Sequence, residues 1–340
     1  MKVGVYYKNE DVRVEERPVP KIGPGEALVR IESSGICGSD VMEWYRLPKA
    51  PLVLGHELTA VVEEAGGGVK GFKRGDRVVV SHHVPCNSCR YCRAGHHTVC
   101  DMLRTTNIDP GGFAQFALVP VMNVERGLFH LPDSVSFDDG TFVEPLGCAS
   151  RGMRKAGLKP GWSVLVIGAG LSGMLNAKLA MALGAGSVLM SDLHDYRLAA
   201  AKRAGAHPID ARKDVPAELK EMNAGRLADL VVVSTGAPKA IEQAFLSVDR
   251  GGTILFFASP APDVRLPYPV FDVWKNEISI VNTYGAGPHD METSLELIRS
   301  GRVQVGDLIS HRFPIDRIGE AFRLVAAAGE SMKVILKPNA

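Results

Sequence analysis

The chain has 340 residues, 46% of them hydrophobic, with 39 Lys and Arg against 38 Asp and Glu. That length exceeds what a single core usually supports, so two domains are expected. The balanced charge offers no basic excess for nucleic acid or an anionic membrane, and no apolar run is long enough to span a bilayer.

Residues 1–8 carry no long apolar stretch after their lysines, which reads as the absence of an export signal and predicts a cytoplasmic protein. The first third is β-rich. Apolar, often β-branched runs at 26–31, 59–63 and 76–81 alternate with breakers such as Pro18, Pro20, Gly23, Pro24 and Gly25. Two motifs sit among these runs: Gly35-Ile-Cys37-Gly-Ser39-Asp40 and Leu54-Gly55-His56-Glu57.

Cys86, Cys89, Cys92 and Cys100 follow, four of the six cysteines within fifteen residues. In a long chain without an export signal this spacing favours metal over disulfides. Four sulfurs with no open position describe a structural zinc. Arg90 and Arg93 are placed to offset its excess negative charge. Four thiolates also hold an iron–sulfur cluster, but that run is tighter at its last step and ends in Cys-Pro, whereas Cys100 precedes Asp101.

Glu144 lies in Phe142-Val-Glu144-Pro-Leu146. The thiolate of Cys37, the imidazole of His56 and one or two carboxylates from Glu57 and Glu144 make a second, catalytic zinc site with room for water or substrate. With Cys37 and one carboxylate ionised the charge of the ion is formally cancelled. Enough Lewis acidity remains to pull an alcohol toward its alkoxide.

The pattern then changes. Strands are expected at 163–167, 187–191, 229–234, 253–257 and 278–281, with helices at 171–183, 196–204 and 238–246. Alternation of this kind predicts a parallel, doubly wound sheet. Gly168-Ala-Gly170-Leu171-Ser-Gly173 follows the first of these strands and opens a helix, the context that makes it a dinucleotide fingerprint. Gly168 permits the turn, Gly170 lets the backbone approach a pyrophosphate, Leu171 begins the helix, and Gly173 lets helix and strand pack closely. Asp192 ends the next strand, where a carboxylate accepts the ribose hydroxyls and repels a 2′-phosphate, so NAD is favoured over NADP. Arg197 either meets a 2′-phosphate or sits on the surface of the following helix. Helices at 291–300 and 318–327 and strands near 311–313 and at 333–337 close the chain. The cofactor domain is placed at 148–284. The catalytic domain is the two flanking segments, 1–147 and 285–340, with a zinc lobe at about 84–102.

Taken together, Cys37-Gly-Ser-Asp40, Gly55-His-Glu57, the four-cysteine lobe, Glu144-Pro-Leu146 and the glycine turn resemble the zinc-containing medium-chain dehydrogenases over essentially the whole chain, most of all the polyol and threonine dehydrogenase branch. The resemblance implies an α/β fold: a GroES-like barrel, a Rossmann domain and an active site in the cleft. It implies two zinc ions per subunit, with Cys37, His56 and an acidic residue on the catalytic one, Glu57 as ligand or exchanging partner, and Glu144 in the third-ligand region. Ser39 would carry the first proton-relay hydroxyl, and Asp40 would hold the second nitrogen of His56. Met42 stands where many relatives have a relay histidine, so water or the cofactor ribose is expected to take the second step. Thr283 stands where sorbitol-type enzymes carry Arg, which argues against sorbitol itself. The expected reaction is NAD-linked exchange between a secondary alcohol and its ketone. The expected partners are that small molecule and further copies of the chain, as homodimer or homotetramer. The rival readings are a non-catalytic nucleotide-binding relative, a dehydrogenase of simple alcohols, and a zinc-free quinone reductase.

Overall fold

The computed structural model describes residues 1–265 and 268–340. It divides into two compact units, Met1–Glu144 with Ala286–Ala340, and Pro145–Gly285. From the sequence the corresponding boundaries fall at 147/148 and 284/285, against 144/145 and 285/286 here. Among the described residues no helix is long and apolar enough to cross a membrane.

The first unit is mostly strand. A seven-stranded sheet runs in the order Ile309–Pro314, Lys333–Lys337, Ala27–Ile36, Glu57–Ala65, Arg77–Val80, Leu128–His130, and Phe116–Val119 also pairs with Ala27–Ile36. A smaller sheet holds Asp11–Glu16, Lys2–Lys8 and Leu52–Val53. Val29, Ile31, Ala60, Val62, Val78 and Val80 are buried, and with Phe113 and Phe322 they form one core. Their alternation along each strand is what sends one set of side chains inward. The central pairing matters most for the site, because its antiparallel register sets Gly35 opposite Glu57, and Lys333–Lys337 lies on the other side with Ile335 opposite Gly35.

The second unit is a parallel sheet in the order His207–Asp210, Ser187–Asp192, Ser163–Ile167, Ala228–Val233, Val248–Phe256, Ser279–Asn282. Numbered along the chain this is 3-2-1-4-5-6, the doubly wound order whose switch point lies beside the first strand. Every residue of Ser163–Ile167 is buried, which explains why that strand is a continuous apolar run rather than an alternating one. The edge strand His207–Asp210 and the helix Val215–Met222 were not expected from the pattern.

Candidate active site

The four-cysteine lobe is built by local chain geometry. Cys89 caps the helical turn Arg90–Arg93 through its sulfur. Backbone amides point at the sulfurs: Ser88 and Cys89 donate to Cys86 Sγ at 3.4 and 3.2 Å, Cys92 to Cys89 Sγ at 3.5 Å, and Cys86 to Cys100 Sγ at 3.4 Å. The four sulfurs lie within 4.8 Å of one another, with pairs at 3.5 and 3.9 Å. A tetrahedron with Zn–S bonds of about 2.3 Å has edges of about 3.8 Å. Hydrogen bonds from Ser88, then from the Cys89 amide, hold the Cys86 thiol at about 5, while burial pushes Cys92 up to about 12. Four sulfurs at this spacing fit the donor set of a structural zinc, whose binding would ionise Cys92 as well. Arg90 and Arg93 are exposed on this turn.

The second ligand set comes from two strand ends. Ala27–Ile36 runs into Cys37, which caps a 3-10 turn over Gly38–Val41. The Ser39 amide and the Ser39 hydroxyl both donate to Cys37 Sγ at 3.4 Å. His56 precedes Glu57, the first residue of the neighbouring strand. Ligand atoms of Cys37, His56 and Glu57 lie within 4.8 Å of one another. Glu57 Oε1 is buried without a hydrogen-bond partner among the described residues, as a carboxylate oxygen facing a cation position would be. The chemistry of this set fits zinc with an open position. Glu144, in the first turn of the helix Val143–Ala156, is not in this group, so the structure assembles three of the four expected ligands.

Asp40 is fully buried, and its Oδ1 lies 3.4 Å from His56 Nδ1. That contact leaves Nε2 as the nitrogen that could serve a metal and fixes the ring. Burial works against the Asp40 charge, but His56, Arg46 and the Cys37 amide hold it below the ordinary carboxylate range. Burial also works against an imidazolium, yet Asp40 and Cys37 hold His56 well above its ordinary value. A metal ion at Nε2 would have to compete with a proton.

Three residues of the site were not found by sequence reasoning. Lys333 is fully buried and donates to Glu57 Oε2. Gly35 makes room for the pair: a Cβ there would stand 2.7 Å from Glu57 Oε2. The one sequence signal of Lys333 is a lysine at the head of the strand Lys-Val-Ile-Leu-Lys, whose middle three residues are apolar. Arg46 donates through Nη2 to Ser39 Oγ and to Asp40 Oδ1, both at 3.1 Å. The His82 ring lies 5.0 Å from the His56 ring, and burial, then His83 and His56, hold it well below its ordinary value, so it is a neutral wall.

In the second unit Gly168 turns the chain with φ +94°. Gly170 caps the helix Leu171–Ala182, which has no side-chain cap, so its first amides are left for an anion. A Cβ on Gly173 would overlap the carbonyl of Gly168. Asp192 ends its strand and is tied down: Oδ2 accepts from the Ala169 amide at 2.8 Å and Oδ1 from His194 at 2.9 Å. Arg197 is not a surface residue. Its side chain is 19% exposed, it turns back to stand 3.7 Å from Asp192 Oδ2, and its Nη1 would lie 3.9 Å from a Cβ on Gly170.

Residues 23–133 match the alcohol dehydrogenase GroES-like domain family, and residues 173–300 match the zinc-binding dehydrogenase family. The chain is 31% identical to sorbitol dehydrogenase of Gallus gallus, covering 98% of this chain and 95% of that protein. It is 34% identical to L-threonine 3-dehydrogenase of Pyrococcus abyssi, covering 98% and 97%. The solved structure of a zinc-binding dehydrogenase from Sinorhizobium meliloti, bound to NADP, superposes with a TM-score of 0.89 at 27% identity, covering 99% of each chain. With both ligand sets and the glycine turn in place, the chain belongs to the zinc-binding medium-chain alcohol dehydrogenases, in the branch that holds the polyol and threonine dehydrogenases.

Proposed function

We propose that the protein oxidises one secondary alcohol of a polyol, sugar phosphate, cyclitol or 3-hydroxy amino acid to a ketone with NAD, and runs the reverse reaction on the ketone. The observation that carries this reading is the unpartnered Glu57 Oε1 beside Cys37 and His56, with the Ser39 hydroxyl on the same sulfur. Cys37, His56 and Glu57 would hold the catalytic zinc, and Cys86, Cys89, Cys92 and Cys100 the structural one. When bound, zinc polarises the alcohol oxygen and the dinucleotide accepts the hydride. Ser39 takes part in moving the hydroxyl proton, because a hydroxyl accepts and donates at once. Asp40 keeps the His56 tautomer, and Lys333 balances the Glu57 charge. Nicotinamide fluorescence against a panel of these alcohols, together with elemental analysis, tests the reading. Two zinc ions per subunit and turnover of a secondary alcohol are expected. A single zinc ion, or iron with a visible charge-transfer band, overturns it.

The cofactor preference rests on Asp192. A 2′-phosphate there meets like charge and loses the ribose hydrogen bonds, a penalty of a few kcal/mol. NAD is expected to exceed NADP by about two decades in kcat/KM, and Asp192→Ala to narrow that ratio. The Sinorhizobium meliloti relative holds NADP, and Arg197 is the residue that would accommodate the extra phosphate. Equal use of both cofactors by the wild type removes the assignment to Asp192.

Self-association rests on the second unit. Ser279–Asn282 is the outer strand of its sheet, and the helix before it, Val270–Lys275, leaves Val270 61%, Phe271 64% and Trp274 75% exposed. An open strand edge next to apolar side chains suits a second copy of the same edge about a two-fold axis. Sedimentation is expected to show a dimer or a dimer-built tetramer, and Trp274→Glu to shift it toward monomer. A monomeric wild type contradicts this.

A further inference from the structure

We propose that Arg46 is a positioning residue that sets the direction of the Ser39 hydroxyl; this rests on the reading of Ser39 given above. Arg46 ends the short helical turn Glu43–Arg46. Its side chain is only 12% exposed and its guanidinium lies 4.6 Å over the Tyr45 ring. Three hydrogen bonds converge on two residues beside the ligand Cys37. Nε donates to the Ser39 carbonyl at 2.9 Å, and Nη2 donates to Ser39 Oγ and to Asp40 Oδ1, both at 3.1 Å.

The consequence follows from the chemistry of the two groups. A guanidinium only donates and gives up no proton in a protein. Arg46 therefore fills one lone pair of Ser39 Oγ and forces the Ser39 O–H to point elsewhere. In the structure it points to Cys37 Sγ, 3.4 Å away, which is the ligand side. One lone pair of Oγ then remains for a substrate hydroxyl. Without Arg46 the Ser39 side chain is free to visit the other staggered rotamers. A lysine cannot reproduce the arrangement, because a single ammonium does not span a carbonyl, a hydroxyl and a carboxylate as a planar fork does. Arg46 also cannot carry a proton outward, so as Ser39 Oγ takes up the substrate proton its own O–H must turn from Cys37 Sγ and pass its proton to water or the cofactor ribose.

Arg46→Met and Arg46→Lys, prepared as zinc-loaded enzyme, test this. Both are expected to lower kcat by about ten- to a hundredfold, with KM within about twofold, as misplacement of a proton-transfer group does, and with two zinc ions retained. In a Ser39→Ala background, Arg46→Met is expected to add less than about twofold, because a residue acting through Ser39 has nothing left to position. An additive loss overturns the proposal, and so does full activity of Arg46→Met. A crystal structure of Arg46→Met gives an answer that does not depend on turnover: Ser39 Oγ is expected in more than one rotamer, and a single wild-type rotamer overturns the proposal. If Ser39→Ala alone is fully active, the relay reading of Ser39 fails, and the rotamer measurement still decides what Arg46 does.

Discussion

Ser39→Ala is expected to lower turnover by roughly two to four decades, the usual worth of positioned proton transfer. Zinc content and NAD affinity should stay near wild type, because Ser39 offers no ligand atom to either metal group and lies in the other unit from the glycine turn. The hydroxyl donates to the sulfur of Cys37 at 3.4 Å, and no histidine follows it in the 3-10 turn Gly38–Val41. Ser39→Thr should keep much of the activity, since the hydroxyl survives and the cap of the turn is made by Cys37. Alcohol oxidation should rise with pH through one apparent ionisation, as the hydroxyl proton becomes easier to lose. Measuring pH–rate profiles for the wild type and both variants decides the matter. A Ser39→Ala enzyme that turns over at the wild-type rate means the proton leaves by another route.

Cys92→Ser is expected to remove one zinc ion per subunit and to lower the melting temperature by roughly 10 °C or more. The reason is the poverty of the lobe's own core. Its buried cluster consists of Cys92, Cys100 and Leu103, with Cys86, Cys89 and Met102 packed on it. One aliphatic side chain that is fully buried cannot order a loop of this length, so the metal must contribute most of its stability. Cys37→Ser is the control. It should lose the other zinc ion and the activity, yet melt close to wild type, because Val29, Ile31 and Val62 of the surrounding sheet pack without it. Calorimetry and elemental analysis on both variants separate the two sites. If Cys92→Ser melts with the wild type, the lobe does not depend on metal.

What the sequence revealed and what it hid follow from the range of the interactions. The cysteine lobe was legible because its ligands, their amide donors and their caps all lie within residues 86–100. The glycine turn was legible because strand, turn and helix are consecutive. Asp40 and His56 were legible as a pair only through the family resemblance. Lys333 was not, since its partner Glu57 lies 276 residues earlier and nothing in a linear pattern pairs them. Arg46 was missed for a different reason: six and seven residues separate it from Asp40 and Ser39, but the turn that folds it back has no strong periodicity. The edge strand His207–Asp210 was missed because it is short, carries Pro208 and buries only Ile209, as an edge permits. The helix Val215–Met222 does carry a local signal, Asp214 capping the Ala217 amide with a proline in the first turn.

The pairing of Lys333 with Glu57 also sets an order of events during synthesis. Cys37, His56 and Glu57 leave the ribosome early, but the lysine that balances Glu57 is made after the entire parallel-sheet unit, Pro145–Gly285, has been translated. The strand Lys333–Lys337 is the neighbour of Ala27–Ile36 in the sheet that carries Cys37 at its end. A nascent chain therefore holds its early strands with one edge open and with a carboxylate that has no counter-ion. A buried carboxylate without a counter-charge is costly, so Glu57 reaches its final burial only when a cation, Lys333 or a metal ion, stands beside it. The Glu57–Lys333 pair is thereby completed only with the last strand, whereas the four cysteines of the lobe are all encoded within residues 86–100.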